Sequence, residues 1–114
     1  MNISSILNQL EPLLRQYDFV LEANIVKGIQ ETLKINPDMA YQQLSDKNCW
    51  VGENAVAEVD LAIAGGFMAS AREDQDRFQQ LIIELYLQLN EAGYESDYAR
   101  IVTSQFNKWL ISRM

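Results

Sequence analysis

The sequence predicts an all-α, single-domain bundle of about six helices with no sheet. Three observations carry that prediction. The stretch from Ser70 to Gly93 places Phe78, Leu81, Ile82, Leu85, Leu89 and Ala92 on one stripe at the 3.6-residue period. Two further stretches, Phe19 to Ile35 and Asp97 onward, repeat apolar residues at three and four. No segment sustains the period-two alternation of a half-buried strand. A chain of 114 residues suits one domain and buries enough surface to stand without staples.

Taken in order, Ser4 or Ser5 is expected to cap a first helix bearing Ile6, Leu7, Leu10, Leu13, Leu14 and Tyr17. Pro12 removes the bond to the Asn8 carbonyl, so a kink, a split or a restart at Pro12 is expected. Asp18 is the expected cap of the second helix, with Leu21, Ile25, Ile29 and Leu33 at a spacing of four and Val26 beside them. Close packing of a neighbouring helix is the expected reason for Gly28.

Asn36-Pro37 marks a boundary, with Asn36 as cap and Pro37 at the first position of a short helix ending near Ser45. Residues 46–54 read as a loop. Asn54 is expected to cap a fourth helix with Val56, Val59 and Ile63 on one side, broken by Gly65-Gly66. Phe67 or Met68 then serves as staple or plug before the long helix.

In the long helix, Ser70 and Glu73 have capping-box spacing. Glu73, Asp74 and Asp76 place negative charge near its start, and Gly93 stops it. Asp97 is expected to cap the last helix, which carries Tyr98, Ile101, Val102, Phe106, Trp109 and Leu110. The long helix is expected at the centre, packed against the second and last helices. Leu81, Ile82, Leu85, Leu89, Ile25, Ile29, Val102, Phe106 and Trp109 form the predicted core.

The residue inventory narrows the chemistry. There is no histidine, which removes Ser-His-Asp and Cys-His catalysis, the common zinc sites and the usual neutral-pH base. Cys49 has no partner thiol and reads as a small apolar filler in a reducing cytosol. Gly65-Gly66 lacks the flanking residues of a phosphate loop. Glu73-Asp74-Gln75-Asp76 continues into a helix instead of forming a calcium loop. The N-terminus has no basic region of a signal peptide, and no apolar run is long enough to span a bilayer. No catalytic, cofactor or metal site is expected.

Net charge is −7, and it is uneven. Residues 53–97 carry ten acids against Arg72 and Arg77, a net of −8, whereas residues 98–114 sum to +3. Such a surface repels nucleic acid and anionic membrane and attracts a basic protein. Trp50 lies beside this segment, and Tyr86, Tyr94 and Tyr98 lie near its other end. Aromatic anchors inside a charged rim suit an interface. Trp50 as a plug of the core is the other reading.

Trp50-Val51-Gly52 leading into the helix from Val56 to Ile63, followed by the long helix from Ser70, resembles the small acidic helical bacterial toxin-immunity proteins of the contact-dependent inhibition type. The resemblance covers about half the chain. The adjacent tyrosines of the colicin-DNase immunity motif are absent, so no residue role is carried over. What it implies is a cytoplasmic, stoichiometric inhibitor that masks a basic toxin surface, most often a nuclease active site. The expected partner-binding residues are Trp50, Glu53, Glu58, Asp60, Glu73, Asp74 and Asp76. A helical adaptor or homodimer is the alternative, and a small carboxylate-based enzyme a further one.

Overall fold

The computed structural model describes residues 2–50, 56–58, 66, 68–94 and 96–112, with side chains at all of these except 47, 48, 58 and 109–112. Among them there is no strand. Five helices of nine residues or more are present: α1 (Ile3–Gln16), α2 (Val20–Ile35), α3 (Pro37–Ser45), α5 (Ala69–Glu91) and α6 (Asp97–Ser112). A single turn, α4 (Lys47–Trp50), and a 3-10 turn at Val56–Glu58 complete the described elements. The expected fourth helix lies outside the described residues apart from that 3-10 turn, and so does Phe67.

Asn2, and not Ser4 or Ser5, caps α1: its Oδ1 accepts the Ser5 N–H at 2.8 Å. The helix then runs unbroken through Pro12, contrary to the expected split. Pro12 and Asn8 both lie on the exposed side, so water can satisfy the freed Asn8 carbonyl. The opposite side buries Ile3, Ile6, Leu7, Leu10, Leu13 and Leu14. Full burial of each stabilises the fold by about 1.5–3 kcal/mol relative to exposure.

Asp18 does not cap α2. It sits in the left-handed region at φ 67° and ends α1. The Asp18 N–H donates to the Arg15 carbonyl at 3.1 Å and the Phe19 N–H to Leu14 at 2.9 Å, the two bonds of a Schellman stop. Phe19 occupies the α2 cap position without a side-chain bond. Asn36 does cap α3 as expected, its Oδ1 accepting the Met39 N–H at 3.3 Å, with Pro37 in the first turn.

The expected capping box of the long helix is absent. α5 starts at Ala69 with Met68 at its cap, which puts Ser70 inside the first turn and the acids beyond it. Its end follows the sequence: Gly93 has φ 89°, with Gly93 N–H to Asn90 at 3.0 Å and Tyr94 N–H to Leu89 at 2.8 Å. Ser96, one residue before the expected Asp97, caps α6; its Oγ accepts the Ala99 N–H at 3.3 Å.

α1 packs on α2 and on α5, α5 on α6, and α2 on α3. The long helix therefore rests mainly on α1 and α6, with α1 in the place expected for α2. Leu81, Ile82, Leu85, Leu89, Ile29, Val102 and Phe106 are buried as predicted. Ile25 is not: it is 41% exposed. A spacing of four residues advances 400°, so a stripe of Leu21, Ile25, Ile29 and Leu33 drifts around the helix. The face that packs instead holds Glu22, Ala23, Val26 and Ile29. Tyr98 and Ile101 are exposed because α6 turns the face of Ala99, Val102, Thr103 and Phe106 inward. The Trp109 side chain lies outside the described set.

Candidate functional site

Among the residues expected to bind a partner, Trp50 is placed most plainly. The α4 turn rotates it inward, and it is 0% exposed. Its indole N–H donates to the Leu44 carbonyl at 2.7 Å, satisfying an acceptor at the end of α3 that helical bonding leaves open. Leu7, Leu10, Val26, Ile82 and Leu85 surround it, with an apolar gap of only 10 Å3 between them. Trp50 is a core plug, and the reading of it as a surface anchor is corrected. Tyr94 and Tyr86 are half-buried against the same core. Tyr94 also packs edge-on to Tyr41, ring centres 5.4 Å apart, and its hydroxyl donates to Asp38 at 3.3 Å. Burial and the nearby Asp38 carboxylate raise its pKa.

Glu53 and Asp60 lie outside the described residues, as does the side chain of Glu58. Of the second acidic set, Asp74 is committed within the fold. Its carboxylate accepts the Tyr17 hydroxyl at 2.6 Å and the Gln16 amide at 3.4 Å, tying the end of α1 to α5. The hydrogen bond to Asp74, burial and the carboxylate charge together push the Tyr17 pKa up to about 12.

Glu73 and Asp76 turn outward. They begin a stripe that continues through Gln80, Glu84, Leu87 and Glu91 at spacings of three and four. The stripe makes an acidic ridge about 27 Å long. Glu73, Gln80, Leu87 and Glu91 are exposed, and Asp76 and Glu84 are half-exposed. Leu87, 50% exposed, is the apolar residue in this ridge. Glu84 and Glu91 were not singled out from sequence; the signal was their register with Glu73, which the local cluster of acids obscured. Beside the ridge, an open groove of 580 Å3 is lined by Gln9, Arg77, Gln80, Leu81, Ile83, Glu84 and Asn107. The Arg77 guanidinium donates to the Gln9 side-chain oxygen across one wall.

A second hollow, of 430 Å3, lies between α2, α3 and α4 and is lined by Asn24, Ile25, Gly28, Ile29, Thr32, Gln43, Asp46, Cys49 and Val56. Cys49 is half-buried there. Desolvation and the Asp46 charge push its thiol up to about 12, which keeps it protonated and a poor nucleophile at neutral pH. Among the described residues, no three acidic or thiol side chains converge to hold a metal ion. No described helix is long and apolar enough to cross a membrane. No family model matches the chain, and no curated protein or solved structure matches it either.

Proposed function

We propose that the chain is an immunity protein, which binds a bacterial toxin domain with a basic surface and neutralises it by covering that surface. A nuclease is the leading form of the toxin, because nucleases hold phosphate with lysine and arginine. The observation that carries the reading is the ridge of α5, where Glu73, Asp76, Glu84 and Glu91 share one face of a rigid helix with Leu87 exposed among them. Carboxylates in that array can meet guanidinium groups in charge-assisted bonds, while Leu87, between Glu84 and Glu91, adds an apolar contact. The reading makes the chain a cytoplasmic binding protein that needs no cofactor, turns over no substrate and avoids nucleic acid and membrane. A helical adaptor is the second reading, favoured by the exposed apolar side of α2.

The experiment is a search of the adjacent reading frames for a toxin domain, followed by a binding measurement against that domain at low and high salt. Reversing Glu73, Glu84 and Glu91 to lysine is expected to slow association about tenfold or more, with the effect shrinking in salt. Reversal of Glu53, Glu58 and Asp60 forms a parallel set. An affinity indifferent to salt and to both sets would reject the acidic mask.

A further inference from the structure

The exposed side of α2, whose middle (Asn24, Ile25, Gly28 and Thr32) lines the open hollow shared with α3 and α4, is unusual for a helix surface in contact with solvent. Within about 60° of Gly28 lie Leu21, Asn24, Ile25, Glu31, Thr32 and Ile35, of which only Glu31 is charged. Leu21 is 62% exposed and Ile35 86%. Gly28 sits at the middle of the helix, and a Cβ built on it meets nothing within 4 Å. The glycine therefore lowers helix propensity without a compensating close contact among the described residues. α2 carries no net charge, since Glu22 and Glu31 balance Lys27 and Lys34.

We infer that this face pairs with the same face of a second copy, the two α2 helices running antiparallel and crossing at Gly28 about a two-fold axis. A two-fold contact needs a self-complementary patch. In this register Leu21 meets Ile35 of the second copy, seven residues either side of Gly28. Asn24 and Thr32 flank the crossing with their polar groups already satisfied: the Asn24 side-chain oxygen accepts from Arg15 at 3.0 Å and the Thr32 hydroxyl donates to the Gly28 carbonyl at 2.9 Å. Lys27 falls about two residues, or ~3 Å along the axis, from Glu31 of the other chain, and the symmetry makes that pair twice. Within one chain Lys27 precedes Glu31 by one turn, the less favourable order, and no ion pair joins them. The missing side chain at Gly28 lets the backbones approach at the crossing. A second copy fits better than a basic partner because the face carries a single acid, Glu31, with Lys27 at its edge to offset it. The face is a strip about 21 Å long and about 10 Å wide, or about 200 Å2, well short of a standard interface of about 800 Å2 per partner. The pairing is therefore weak and concentration-dependent, and it does not rest on the toxin-binding reading.

The test is sedimentation of the purified chain alone over rising concentration, with helicity checked for each variant. The wild-type mass is expected to climb from monomer toward dimer. Gly28→Leu fills the crossing point while favouring the helix, and is expected to weaken association at least about tenfold. Lys27→Glu and Glu31→Lys should each weaken it, and the two together should restore it to within about threefold of wild type. A chain that stays monomeric at millimolar concentration would overturn the inference. So would a dimer indifferent to Gly28→Leu, or single charge reversals not repaired by the double.

Discussion

The indole N–H of Trp50 caps the carboxyl end of α3 through the Leu44 carbonyl, at 2.7 Å, inside the core. Trp50→Ala is expected to destabilise the fold by about 3–5 kcal/mol, from the cavity and the orphaned carbonyl together. Trp50→Phe restores most of the volume but not the donor, and should recover only part of that loss. Urea unfolding of the two variants measures the difference. Comparable stability for Trp50→Ala and wild type would contradict the buried placement.

The Tyr17–Asp74 bond joins α1 to α5 at 2.6 Å. Tyr17→Phe is expected to cost about 1–2 kcal/mol. The pH dependence has a defined sign. The Tyr17 pKa is raised from 10.0 in the unfolded reference to about 12 in the fold. Its stabilising contribution is therefore complete below pH 10 and is lost as pH rises toward 12. Comparing wild type with Tyr17→Phe across that range isolates it: the gap between their unfolding midpoints should close as the solution becomes more alkaline.

Two helix ends use the same stop with different residues, which allows a paired test. Gly93→Ala should destabilise by about 1 kcal/mol, from the left-handed backbone alone, since a Cβ there meets nothing within 4 Å. Asp18→Gly should stabilise by about 0.5–1 kcal/mol, because Asp18 holds φ 67°. Opposite shifts in melting temperature are expected, and shifts of the same sign would contradict the shared geometry.

Cys49 should be slow to alkylate in the native protein. With its thiol pushed from 9.0 to about 12, the rate should keep rising through pH 9, where the unfolded chain's rate has begun to level. Mass spectrometry after a pulse of iodoacetamide at several pH values reads this directly. Native and unfolded rates that coincide would contradict the burial.

The all-helical class was legible because the stripes of α1, α5 and α6 are long enough for period to decide. Asn36-Pro37 and Gly93 were legible because few other conformations suit those residues. Helix starts were less so. Asp18 fits a cap and a left-handed stop equally well by chemistry, and only the meeting of α1 with α2 selects the second. Ser70 had the spacing of a capping box, yet the backbone enters the helix two residues too early to use it. On the surface, the acidity of α5 was visible in composition, but the separation of Asp74 from Glu73 and Asp76 needed the partner Tyr17 on another helix. Trp50 was open to both readings, anchor and plug, because its neighbours in sequence are polar; the single turn of α4 carries it inward.

The Schellman stops at Asp18 and Gly93 also bear on how the chain reaches its fold. Each reverses the chain over a few residues, so α1–α2 and α5–α6 can zip up as local hairpins at little loop-closure cost. The seam between the hairpins joins distant positions, Tyr17 and Asp74 being 57 residues apart. Docking of one hairpin on the other is then the late, slower event. Changes at the two stops should act chiefly on the refolding rate, and changes at the Tyr17–Asp74 seam chiefly on the unfolding rate. A stopped-flow chevron of Asp18→Gly, Gly93→Ala and Tyr17→Phe would separate them by which limb moves.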